Sequence, residues 1–122
     1  MAHFIYEYSA NLPEAQLDLA GLMEKMHNAA VDSGIFPEGG LRSRAICCEE
    51  FRIGDGNPDH GFVNLSMKVG RGRDEVTRLA IGQVLFELLI EHLQPLFDSR
   101  GLAVSFEMRE LEELVKFNRK NI

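Results

Sequence analysis

Aromatic and β-branched residues crowd the start of the chain at Phe4, Ile5, Tyr6 and Tyr8, which predicts a strand over residues 4–8. Asn11, then Pro13 and Glu14, reads as a helix start with an Asx cap, an early proline and an acid in the first turn. Ala15, Leu19, Leu22, Met26, Ala29 and Ala30 recur at helical spacing, and Gly34 predicts a stop near residue 33. Residues 35–40 read as a loop, and a second strand is expected from about Leu41 to Arg52. Turn formers fill residues 54–59. The cleanest alternation follows over Phe62–Val69, with Val63, Leu65, Met67 and Val69 on one face and Asn64, Ser66 and Lys68 on the other.

Gly70-Arg71-Gly72-Arg73 leads into a second helix, from about Asp74 to Leu93 or beyond, with Asp74 and Glu75 at its positive end. Leu79, Val84, Leu85, Phe86, Leu88, Leu89, Ile90 and Leu93 cover most of its circumference, which predicts burial on more than one side. Pro95 is expected to end or kink it. Leu102, Val104, Phe106 and Met108 share one face of a last strand, and a charged tail runs from Arg109 to Ile122. The order is β-α-β followed by β-α-β in a single domain of residues 1–122, a pseudo-repeat of about 1–58 and 59–122. An α+β fold is expected, a four-stranded mixed sheet with both helices on one face. Each unit pairs its strands in parallel through a right-handed crossover. The bare face then calls for an oligomer.

Composition narrows the function. A net charge of -6 argues against nucleic acid and against an anionic membrane surface. No apolar run approaches the ~20 residues that span a bilayer. No basic segment followed by an apolar stretch opens the chain, so no secretory leader is expected. Cys47 and Cys48 are adjacent and would point to opposite faces of a strand, so they are expected as reduced, buried thiols in a cytoplasmic protein. His3, His27, His60 and His92 have no metal-ligand spacing, and Gly70-x-Gly72 is too short for a nucleotide fingerprint, so no metal or cofactor is expected.

Two features suggest chemistry. A terminus continuous with a strand holds its α-amine in place. Partial burial lowers the pKa of such an amine toward neutrality, so that it can serve as a base. The plain alternative is a strand that starts early. Four of the nine arginines also fall in two pairs, Arg42 with Arg44 and Arg71 with Arg73. Arg42 and Arg44 face the same way in a strand, and Arg73 precedes a helix N-terminus that favours anions. Guanidinium grips carboxylate in a bidentate fork, so a carboxylate-bearing substrate is one reading. Surface pairing with Glu49, Glu50, Asp74 and Glu75 is the other.

Motifs spread along the chain resemble the 5-carboxymethyl-2-hydroxymuconate isomerases of the tautomerase superfamily. They are His3-Phe4-Ile5-Tyr6-Glu7, Gly34-Ile35-Phe36-Pro37, Leu41-Arg42-Ser43-Arg44, Gly70-x-Gly72-Arg73, Leu85-Phe86-Glu87-Leu88 and Leu102-Ala103-x-Ser105-Phe106-Glu107. The resemblance implies two fused β-α-β units, a homotrimer, and cofactor-independent proton transfer along an unsaturated 2-hydroxy polycarboxylic acid in aromatic-compound degradation. It implies a base at the amino terminus, exposed when methionine is removed, and arginines that hold carboxylates and steady the dienolate. By position the base falls on Ala2 and the arginines on Arg42 and Arg73, with Arg44 as a further substrate-binding candidate. Ala2 stands where the family has proline, so a primary amine replaces the ring nitrogen. With Met1 retained, the free amine moves by about 3.8 Å. The alternatives are a divergent member that binds small carboxylates without efficient isomerisation, and an assembly protein whose trimer is its function.

Overall fold

The computed structural model describes residues 1–122. Its elements are β1 (Ala2–Ser9), α1 (Glu14–Leu17), α2 (Leu19–Asp32), β2 (Leu41–Cys48), β3 (Gly61–Val69), α3 (Glu75–Ser99) and β4 (Leu102–Glu110). The four strands form one mixed sheet in the order β2-β1-β3-β4. β1 runs parallel to β2, β3 runs parallel to β4, and the two central strands, β1 and β3, are antiparallel. The two expected β-α-β units are therefore joined through their first strands.

Alternation decides which face is buried. Phe4 and Tyr6 of β1 and Val63, Leu65, Met67 and Val69 of β3 are fully buried against the helices. Leu22, Met26 and Ala30 of α2 and Ile81, Leu85, Leu89, Leu93 and Leu96 of α3 supply the other half of the core. Burying each of these larger side chains is worth about 1.5–3 kcal/mol. The opposite face carries His3, Ile5, Glu7, Arg42, Arg44, Asn64, Ser66, Lys68, Ser105 and Glu107. It is bare but polar, so it does not by itself demand an apolar partner.

Several boundaries differ from the sequence expectation. The first helix is broken at Asp18, whose backbone is left-handed (φ 39°) and whose carboxylate accepts from the Gly21 N–H at 3.2 Å. Apolar spacing continues through Leu17 and Leu19 and hides the break, while aspartate tolerates this conformation and caps the helix that follows. Asn11 is not a cap: its amide donates to the carbonyls of Pro58 and His60 at 3.0 and 2.7 Å, pinning a distant loop. Gly34 does stop α2, with φ 77° just past its last turn.

β2 ends at Cys48 rather than Arg52 because it is an edge strand and its one neighbour, β1, ends opposite it at Ser9. Cys47 is exposed rather than buried, as this edge has no cover. α3 runs through Pro95 to Ser99, since the missing hydrogen bond falls on the solvent side while Leu93 and Leu96 hold the helix to the core. Only one stripe of α3 is buried; Val76 and Leu79 remain 78% and 65% exposed, against the expected burial on several sides.

Candidate active site

Strand direction brings separate parts of the chain to one end of the sheet. β1 and β2 begin there, and β3 and β4 finish there. The first residue, the Gly39-Gly40 entry to β2, the Gly70–Arg73 exit of β3 and the root of the tail are thus neighbours. The Met1 carbonyl accepts from the Gly70 N–H at 3.0 Å, extending the β1–β3 ladder by one residue. A Cβ at Gly40 would lie 3.5 Å from the Met1 amine nitrogen, so the short glycine turn lets the amine approach closely.

Arg73 is fixed over this end. Its guanidinium donates to the Ile35 carbonyl through Nε and Nη2 (3.3 and 2.8 Å) and to the Gly70 carbonyl through Nη1 (3.0 Å). It also stacks on the buried Phe36 ring, 4.3 Å from the centroid. All these partners are neutral, so they orient the fork without cancelling its charge. The loop Ile35-Phe36 is the part of this site that charge and spacing did not identify. Its signal was an apolar pair between Gly34 and Pro37 with no helix or strand to serve.

Arg42 lies half-buried at the start of β2 and reaches the Asn118 Oδ1 at 3.5 Å. Burial lowers the pKa of the Met1 α-amine, and the charges of Arg73, Lys120, Lys116 and Arg42 lower it further. Ala2 is completely buried at the head of β1, opposite Leu41 and Val69. An amine at this end is therefore partly desolvated and surrounded by positive charge, which favours its neutral, proton-accepting form.

The other arginines separate from this group. Arg44 shares the face of Arg42 but turns to the Nδ1 of His3 at 3.3 Å on the bare side of the sheet. Burial, then Arg44 and Arg42, push the His3 imidazole below its usual range. Arg71 serves the tail root, donating to the Leu111 carbonyl at 3.1 Å and lying 3.9 Å from Glu110. None of the four arginines pairs with Glu49, Glu50, Asp74 or Glu75. The N-terminus of α3 is not an open anion site either, because the Asp74 carboxylate occupies it, accepting from the Thr77 N–H at 2.7 Å.

The fold is that of the tautomerase superfamily. A fused "4-OT" solved as a symmetric trimer has the same fold (TM-score 0.63, 11% identity), covering 89% of this chain and 86% of its own. The chain matches the 5-carboxymethyl-2-hydroxymuconate isomerase family over residues 2–122 and belongs to it. It is 39% identical to the 5-carboxymethyl-2-hydroxymuconate Delta-isomerase of Escherichia coli over 122 residues, all of this chain and 96% of that protein. The crystal structure of a 5-carboxymethyl-2-hydroxymuconate isomerase from Deinococcus radiodurans R1 superposes with a TM-score of 0.93 at 34% identity, covering 98% of this chain and 90% of that one.

Proposed function

We propose that this protein isomerises a 5-carboxymethyl-2-hydroxymuconate-type acid with the Ala2 α-amine as its base, after removal of Met1. The observation that carries this reading is the position of the chain's first amine, at Met1 beside the head of β1, where burial and then Arg73, Lys120, Lys116 and Arg42 lower its pKa, in a chain of this family. The neutral amine takes the proton of the 2-hydroxyl group. Negative charge spreads along the conjugated chain as a dienolate, and the ammonium so formed returns the proton to a carbon further along. Arg73 and Arg42 hold carboxylates and lower the energy of the dienolate. Arg44 is left to the bare face with His3. The chemistry asks only for an amine and cations, with no cofactor.

Removing Met1 has a second consequence. The Met1 carbonyl occupies the Gly70 N–H. Without it that amide is free to donate to a bound oxyanion beside the new amine. With Met1 retained, the amide stays occupied and the amine stands one residue further out, which favours carboxylate binding without efficient turnover.

The active form is a homotrimer. Two open sheet edges support this, as do the exposed Val76 and Leu79 on the outer side of α3 and Leu114 and Phe117 on the tail. The exposed Cys47 thiol suits a reducing, cytoplasmic setting, and no helix is long and apolar enough to cross a membrane.

Native and denaturing mass spectrometry of the wild type and of Ala2→Pro, with turnover of 5-carboxymethyl-2-hydroxymuconate, tests the reading. Three-chain assemblies lacking Met1 are expected, with measurable wild-type activity and a higher rate for the proline variant, whose ring fixes the direction of the nitrogen. A processed, trimeric proline variant without activity would remove the amine from the mechanism.

A further inference from the structure

After β4 the chain does not leave the molecule. The Leu111 N–H donates to the Val69 carbonyl at 2.7 Å, which starts the tail at the end of the sheet that holds the amine. From there it crosses the strand ends in the order β3, β1, β2. The Lys116 Nζ lies 3.8 Å from where a Gly70 Cβ would be, in the same spot that the Met1 carbonyl approaches to 4.0 Å. Asn118 meets Arg42. Further on, a Cβ at Gly39 would lie 3.8 Å from the Lys120 Nζ and 2.8 Å from a main-chain oxygen of the terminal residue, Ile122. The tail is a strap over the site, and two of the four lysines of the chain sit on its inner span.

Neither lysine has a structural task there. No acidic side chain pairs with Lys116 or Lys120, and neither ammonium makes a hydrogen bond within the chain. The chain carries a net charge of -6, yet four cations, Arg42, Arg73, Lys116 and Lys120, gather around one amine without an acidic side chain among their partners. Bringing like charges together costs free energy unless an anion joins them.

The substrate class supplies the count. An acid of the 5-carboxymethyl-2-hydroxymuconate type has three carboxylates, two ending a flat conjugated chain and one on a flexible arm. Planar guanidinium forks suit the two fixed ends, and Arg73 and Arg42 provide two. A mobile point charge on a long stem suits the carboxylate that swings.

We infer that Lys116 and Lys120 form a second carboxylate subsite on the tail, which binds the carboxymethyl arm and selects tricarboxylate over dicarboxylate substrates. The inference rests on the isomerase reading above and names the part of the chain that reads the third charge.

Equilibrium dialysis, which counts both tautomers of a ligand together, compares 5-carboxymethyl-2-hydroxymuconate with 2-hydroxymuconate, the same chain without the arm. The wild type is expected to prefer the tricarboxylate. The Lys116→Ala/Lys120→Ala variant lowers that preference about tenfold, the low end of a charge-assisted contact because both ammoniums face solvent. The Lys116→Arg/Lys120→Arg variant keeps most of it, and added salt shrinks it in the wild type. An alanine variant with the wild-type preference overturns the subsite while leaving the isomerase reading intact. A wild type that binds neither ligand, or an Arg73→Ala variant that binds both as before, removes the two together.

Discussion

Where β1 finishes, side chains tie backbone to backbone. The Ser9 hydroxyl accepts from the Phe62 N–H at 2.9 Å, Asn11 holds the carbonyls of Pro58 and His60, and Arg100 donates to the Asn11 carbonyl at 2.9 Å. Asp55 there has the His60 imidazole 3.3 Å away. Where β1 begins, Arg42, Lys116 and Lys120 have no acidic side chain beside them, and the three guanidinium nitrogens of Arg73 rest on neutral carbonyls. The strands are the same at both ends; the use of polar groups differs. The far end spends its polar groups one by one on the chain's own backbone and builds the fold, whereas the near end gathers several cations that no acidic side chain neutralises, and that shared charge is available to a ligand.

The sharpest way to break the contrast is to remove charge from the binding end. Arg73→Ala is expected to weaken binding of a dicarboxylate 2-hydroxy acid by about 10- to 150-fold, the range for a charge-assisted pair. Arg42→Ala should fall at the lower end, because its only polar contact in the chain is long, at 3.5 Å. Titration calorimetry reads both, and thermal unfolding should show the fold retained. Unchanged affinity in both variants would return these arginines to the status of surface charges.

The complementary change is at the other end. Asn11→Ala strips two carbonyls of their donor and is expected to cost about 1–2 kcal/mol in urea unfolding, with ligand affinity unaltered. If affinity fell as well, the two ends would be coupled and the division between them too simple.

The smallest effect concerns pH. The groups facing an amine at this end are Arg73 from the loop before α3, Arg42 from β2, Lys116 and Lys120 from the tail, and His3 from β1 itself. Burial is the largest cause of the depressed pKa and the cations add to it. Only the neutral amine accepts a proton, so activity should hold above the depressed value and be lost as pH falls through it. Salt screens the cations and not the burial, so raising ionic strength should move the acid limb upward only in part. A pH–rate profile with its limb at the ordinary α-amine value would remove these charges from the base's surroundings.

Strands and their buried faces were readable because alternation is a local property: Val63, Leu65, Met67 and Val69 needed no partner to declare themselves. The break at Asp18 and the shortened β2 were not, for opposite reasons. At Asp18 the apolar rhythm continues while the backbone reverses hand. In β2 the residues beyond Cys48 are compatible with a strand but have no neighbour to pair with.

The sequence by itself determined the β-α-β order, the family through motifs at consistent spacing, and the candidacy of Arg42, Arg73 and the amino terminus. Tertiary structure decided which charges meet. Arg42 and Arg44 are equivalent in a strand pattern, yet one turns toward the tail and the other toward His3. Lys116 and Lys120 read as solvated tail until the antiparallel pairing of β1 and β3 brings the exit of β4 beside the entry of β1. A site assembled from both ends of the chain depends on strand direction, and strand direction is set by the pairing of residues far apart in sequence.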